Sequence, residues 1–151
     1  MIVSLKRIKN IVENLRHQQK KIVFTNGCFD ILHKGHITLL KKAKKYGDVL
    51  IVGLNTDNSI RRIKGKDRPI NSQDVRAEIL DSIKYVDYIV LFDEDTPYKL
   101  ITEIKPDVLV KGKDYKLNEI VGWGIVPKIV RVNIVEGFST TELIKKIKSI
   151  K

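Results

Sequence analysis

Only one cysteine, Cys28, stands in 151 residues, so no intrachain disulfide is available and nothing points to an oxidising compartment. Apolar residues make up 42% of the chain, but no run of them approaches the roughly 18 that a membrane-spanning helix needs. The opening residues "MIVSLKRIKNIVENLRHQQKK" interrupt their apolar positions with charge, unlike the continuous apolar core of a signal peptide. The expected location is therefore the cytoplasm. Aromatics are scarce, at 7%, and no basic stripe is interleaved with them, which argues against a stacking platform for nucleic acid. Acidic residues are also in deficit: 18 Asp+Glu against 29 Lys+Arg leave a net charge of +11. An anionic partner follows. The lysines are scattered through "KKAKK", "RRIKGKDR", "KGKDYK" and "KKIKSIK", so a small phosphorylated substrate accounts for the charge as well as a polyanion does.

What is present is a regular alternation. Leu5, Ile8, Val12 and Leu15 mark one face of an opening helix. Short apolar runs then recur at 21–25, 49–55, 88–92, 107–112 and 128–134, and they predict five strands buried on both faces. Helical segments lie between them at 36–47, at 72–85 with Ser72 as N-cap, and at 96–105 with Thr96 as N-cap and Pro97 at the first helical position. A capped helix at 139–150 closes the chain. Alternating strands and helices imply right-handed crossovers. The fold class is α/β: a Rossmann-like, doubly wound, five-stranded parallel sheet with helices on both faces. We expect one domain over 1–151, with an N-terminal helix in 1–20 and a catalytic core in 21–151. Ligands in such sheets bind at the carboxyl ends of strands near the point where strand order reverses. Polar residues gather at those ends: "TNG", "NTD", "KGKDY" and "EGFSTT".

The stretch "TNGCFDILHKGH", Thr25 to His36, holds Cys28 together with His33 and His36. A zinc site needs three or four ligands, and the remaining histidine, His17, lies on the opening helix with no second cysteine to help. A thiol nucleophile would want His33 as its base, but Cys28 beside Phe29 and Ile31 reads as a small buried hydrophobe. A third reading uses more of the residues. Asn26-Gly27 turns the chain after a strand, Gly35 lets backbone approach a ligand, and the helix start near His36 offers N–H groups to an anion. Neither GxxxxGK[ST] nor GxGxxG is present, so imidazoles and amides would hold the phosphate.

"GCFDILHKGH" resembles the signature of the HxGH nucleotidyltransferase superfamily, the cytidylyltransferase-like enzymes. From about Lys21 to Lys146, "TNGCFDILHKGH", "GDVLIVGLNTD", "RRIKGKDRPIN", "EDTPYKLI", "KPDVLVKGKDY" and "STTELIKKI" resemble, in order, the adenylyltransferase domain of bacterial ADP-heptose synthesis in a stand-alone form. That resemblance implies transfer of AMP from ATP to D-glycero-β-D-manno-heptose 1-phosphate with release of pyrophosphate. It implies that His33, His36, Lys64 and Lys66 act on the phosphates, the two lysines from a flexible loop after the second strand. It also implies that Cys28, Phe29, Gly35, Asp114, Ser139, Thr140 and Thr141 serve the nucleotide, and that Lys111 serves the sugar phosphate. Asp30 is placed to orient the histidine turn of the nucleotide site or to cap a helix, and Asp57, after the second strand, to face the sugar or to cap a helix. Mg²⁺ is implied because it neutralises the triphosphate and can be carried mostly by phosphates and water, and a homodimer is implied as the assembly, with 120–130 as a candidate interface. Relatives in the superfamily pair CTP or ATP with other acceptors, such as glycerol 3-phosphate or FMN. A basic nucleic-acid-binding domain that kept the fold is the remote alternative. Two departures stand out: Lys113 replaces the family's second glycine, and "VGWGIVPKIVRV" (121–132) is shorter than the usual connection.

Overall fold

A computed structural model describes residues 1–151. The strands β1 (Ile22–Gly27), β2 (Val49–Asn55), β3 (Tyr88–Phe92), β4 (Val108–Gly112) and β5 (Lys128–Val132) fall within two residues of the predicted apolar runs. They form one parallel sheet in the order β3-β2-β1-β4-β5. Successive residues of β1 feed opposite faces, as a strand's alternation requires. Ile22 and Phe24 join the core beneath α1 (Leu5–His17) and α5 (Tyr98–Ile104), whereas Val23 joins the core beneath α2 (Lys34–Lys44) and α4 (Gln73–Asp81). Helices therefore cover both faces, and the opening helix shares its core with the strands through Ile8 and Val12. Arg16 at the end of α1 donates to the carbonyls of Ile104 and Lys105, stapling α1 to the end of α5. No helix is long and apolar enough to cross a membrane.

Three local expectations need correction. β5 is not buried on both faces, because it is an edge strand paired only with β4, and Lys128 and Arg131 stand exposed on it. Charge on an open edge discourages further strand pairing. The opposite edge, β3, is covered by the N-terminus, where Val3 N–H donates to Ile89 O and Ile89 N–H to Met1 O. Second, the segment that carries Lys64 is a helix, α3 (Asp57–Lys64), capped by the Thr56 hydroxyl and tied by Arg62 to Asp95. Its eight residues bury only Ile60 and Ser59, too few to leave a helical period in the sequence. Third, the N-cap of α5 is Pro97 and not Thr96, so the helix starts one residue later than expected, and no side chain caps it. The final helix, α6 (Thr140–Ser149), starts where predicted, behind the N-cap Ser139. Between β4 and β5 the chain forms turns and one 3₁₀ turn, Leu117–Glu119, and exposes Trp123 and Ile125.

Strand order reverses between β1 and β4, so a crevice opens at their carboxyl ends. Loops after β2 and loops after β5 flank it from opposite sides.

Candidate active site

The link from β1 to α2 is strained. Phe29 and Ile31 both lie in the left-handed region, with φ of 47° and 48°, which a β-branched residue adopts only under constraint. Asp30 between them supplies that constraint. Its buried carboxylate accepts the N–H groups of Ile70 (2.6 Å) and Asn71 (3.0 Å), and its carbonyl accepts the Thr140 hydroxyl at 2.5 Å. One residue thus fastens the histidine turn to the loop after α3 and to the start of α6. Arg76 fastens it from below. Its fully buried guanidinium donates to the carbonyls of Cys28 (2.7 Å), Asn55 (2.9 Å) and Asn71 (3.0 Å) and to the Asp57 carboxylate (2.8 Å).

This clamping sets the two histidines. His33 is the N-cap of α2, and its Nδ1 accepts the Gly35 N–H at 3.1 Å. Reciprocally, His36 Nδ1 accepts the His33 N–H at 3.3 Å. A ring nitrogen that accepts carries no proton, so both neutral imidazoles hold their proton on Nε2, the atom left for a ligand. The rings stack with centroids 3.8 Å apart, and Phe29 leans on His36 at 5.3 Å. Gly35 is required by this packing, since a Cβ there would come within 2.9 Å of the His33 ring. Burial, helped by His33 and Lys64, holds His36 down to about 4, and burial lowers His33 as well.

The sign of the His36 shift makes a prediction. The folded pKa lies below the ordinary 6.5, so the unfolded chain takes up the proton first, and His36 withdraws stability as pH falls from about 6.5 towards about 4. A bound polyphosphate favours imidazolium and must raise the value. In an NMR titration the His36 ring is expected to show a midpoint near ~4 in the free protein and a higher one with ATP present. A midpoint unmoved by saturating ATP would remove His36 from the phosphates.

His33, Gly35 and His36 form one wall of a cleft of about 330 Å³, at the lower end of the range for small-molecule sites. Cys28 and Phe29 from the β1 end, Lys111 and Asp114 from the β4 end, and Lys64 from the end of α3 also line it. Ser139, Thr140 and Thr141 line it too, from the start of α6. The Ser139 hydroxyl accepts the Glu142 N–H, and Thr140 spends its own hydroxyl on Asp30. What α6 presents to the cleft is therefore chiefly the N–H groups of its first turn and the positive end of its dipole. The Lys111 ammonium donates to Asn26 O (3.1 Å) and Asn26 Oδ1 (3.3 Å) and lies 4.8 Å from the Tyr115 ring centroid. Burial lowers it to about 8, with Asp114 pulling the other way. Burial also pushes the Cys28 thiol up, so the sulfur stays protonated and unsuited to attack.

Three of the expected site residues stand outside the cleft lining. Asp30 is buried behind the turn, Asp57 is committed to Arg76, and Lys66 is exposed on the loop beyond α3. Arg76 was missed by sequence reasoning, because nothing local marks which face of α4 is buried. It sits with Ala77 and Leu80 on the buried side of α4, while Val75 and Ile79 face solvent.

A parallel sheet of this order, with a glycine-containing turn and a helix start at its switch point, defines a Rossmann-like α/β fold. The chain belongs to the cytidylyltransferase-like family, whose model matches residues 24–146. It is similar to the bifunctional protein HldE of Campylobacter concisus, 57% identical over 149 residues that cover 98% of this chain and 32% of that protein. HldE of Wolinella succinogenes is 55% identical, over 97% of this chain and 31% of that protein. The chain thus spans about a third of the length of these curated relatives. Among solved structures it resembles the lipopolysaccharide core biosynthesis protein of Thermoplasma volcanium, with TM-score 0.66 and 37% identity, covering 78% of this chain and 99% of that one. Pantoate-beta-alanine ligase of Francisella tularensis, at TM-score 0.65 and 22% identity over 99% of this chain and 78% of its own, shares the fold.

Proposed function

We propose that this chain transfers AMP from ATP to D-glycero-β-D-manno-heptose 1-phosphate, giving ADP-heptose and pyrophosphate. The observation that carries the transfer chemistry is the reciprocal Nδ1 capping of His33 and His36, which dedicates two preorganised Nε2–H donors to the cleft. The choice of acceptor is supported by the ordered resemblance along the chain, by the HldE relatives and by the likeness to the lipopolysaccharide core biosynthesis protein.

A phosphate monoester has its second pKa near ~6, so at neutral pH its oxygen is already a nucleophile and needs no general base. It forms a new bond to the α-phosphorus, while the bond from that phosphorus to the bridging oxygen breaks and the departing pyrophosphate keeps the electron pair. Stabilising charge on the α-phosphoryl oxygens is then the task of the site. His33 and His36 donate to those oxygens, Lys64 adds a mobile charge, and the first turn of α6 holds the β- and γ-phosphates. Lys111 and Asp114 shape the far end of the cleft. Asp30 and Asp57 act through the turn they hold rather than on substrate, and Lys66 meets phosphate only as its loop closes.

Mg²⁺ fits this donor set in one form only. No group of three or more His, Cys, Asp or Glu side chains is arranged to hold a metal, so the ion would ride on phosphate and water, with Asp114 as the carboxylate in reach. When bound, it neutralises the triphosphate and makes pyrophosphate a better leaving group. In the same reading, the exposed Trp123 and Ile125 are where a second copy would pack.

The test is pyrophosphate release from ATP or CTP with heptose 1-phosphate, glycerol 3-phosphate or FMN as acceptor. ATP with heptose 1-phosphate is expected to give the highest kcat/KM. A higher value for another pair would reassign the substrate, and none with any pair would overturn nucleotidyl transfer.

A further inference from the structure

A second hollow shares a wall with the cleft, and its lining is cationic. It measures about 320 Å³, and Lys42, Lys45, Lys113 and Arg131 line it together with Tyr46. Val132 and Asn133 line both spaces, and Lys113 stands in the chain between Gly112 and Asp114, which line the cleft. No Asp or Glu lines the hollow, and none of the four cations has a carboxylate partner. Of the four side chains only Arg131 makes a hydrogen bond to the protein, from Nη1 to the Tyr115 carbonyl at 3.3 Å. A fifth cation, Lys128, leans over the Tyr46 ring at 5.5 Å.

Local reasons cover part of this charge. The dipole at the end of α2 favours Lys42 and Lys45, and the open sheet edge favours Lys128 and Arg131. Neither covers Lys113, and nucleotidyl transfer in the cleft gives it no task. Nor does either explain why α2, the end of β4 and β5 turn their cations onto one hollow. Cations gathered without counter-charge repel one another, a cost that a bound anion removes. Charge and shape narrow that anion. A phosphate monoester carries about 1.5–2 negative charges at neutral pH, so four cations are matched by two or three phosphate groups. The hollow has the size of a small-molecule site. A nucleic-acid surface would add stacking aromatics to its cations, and Tyr46 is the only aromatic residue in this lining.

We propose that this hollow is a second anion site, selective for a di- or triphosphate group, either free as pyrophosphate or carried by a nucleotide. The anion would lie against the segment that brings Lys111 and Asp114 to the cleft. The site is independent of the reaction assigned to the cleft and stands or falls by its own measurement.

That measurement is a titration with pyrophosphate at constant ionic strength, followed in amide NMR spectra. Two sets of shifts are expected, one at Gly35, His36 and Thr141 in the cleft and one at Lys45, Lys113 and Arg131 with its own dissociation constant. In the double variant Lys45→Gln plus Lys113→Gln, the second constant, read at the Arg131 amide, is expected to rise roughly tenfold, the scale of hydrogen bonds to a charged group. The cleft shifts and the melting temperature should stay as in wild type. Shifts confined to the cleft, shifts at the hollow that never saturate, or a double variant that binds like wild type overturn the site. Sulfate is expected to bind the hollow more weakly than pyrophosphate. Equal binding of sulfate marks a patch without selectivity and overturns the assignment, as does generic duplex DNA that saturates the same amides at lower concentration. ADP as a second probe names the source: tighter binding than pyrophosphate upholds the site as one for a nucleotide, and equal or weaker binding upholds it as one for pyrophosphate.

Discussion

His36→Ala is expected to lower kcat for pyrophosphate release by about 10²–10³-fold, the measured scale for removing one preorganised oxyanion donor. Two losses combine. The Nε2–H donor disappears from the cleft, and the His33 ring loses the partner stacked on it at 3.8 Å. The cap on the His33 N–H also goes, which should cost about 1 kcal/mol of stability. His36→Asn separates these effects, because its side-chain oxygen can cap the helix while offering no donor at the Nε2 position. Asn is expected to restore the melting temperature but not kcat. Wild-type turnover in either folded variant would remove His36 from the chemistry.

Arg76→Met should destabilise the fold by about 3–5 kcal/mol, the range for removing one partner of a buried ion pair. The substitution leaves the carbonyls of Cys28, Asn55 and Asn71 without their donor and Asp57 without its cation. Asp57 is 23% exposed, so water offsets part of its share and the lower end of the range is expected. Urea unfolding reads the loss. Adding Asp57→Ala should return some of it, because the two side chains form one unit and their separate effects are not additive. A loss below about 1 kcal/mol, the size of an ordinary hydrogen bond, would show that Arg76 is not the keystone of the turn. The expected effect is large because one guanidinium serves three carbonyls and a carboxylate from separate stretches of chain.

Much of the architecture was legible in the chain. Runs of Val and Ile a few residues long, each followed by polar residues and a helical segment, leave little choice but buried parallel strands with crossover helices. The histidine turn was legible as well, since Asn-Gly, Gly35 and the helix start all bear on backbone geometry within twelve residues. α3 was not, because its helix formation depends on the Thr56 cap and on Arg62 meeting Asp93 and Asp95 across the sheet end. The edge character of β5 was hidden for a similar reason: an apolar run does not say which neighbours its strand will have.

The site divides the same way. Residues whose role follows from the backbone at their own position, His33, Gly35, His36 and Ser139, were identifiable from local spacing. Residues whose role depends on a distant partner were not. Asp30 was placed at the histidine turn by its position, but its partners Ile70 and Asn71, 40 and 41 residues away, were not, and Arg76, which meets Cys28 across 48 residues, was missed altogether. The linear order of the five strands and of the helices that alternate with them, α3 apart, was settled by the sequence alone, through local sterics and hydrophobic period. Only the tertiary structure decided which charges are buried, which carboxylates are already engaged and which cations line one hollow without an acid among them. Those properties depend on what the folded chain brings into contact, and no local pattern encodes that.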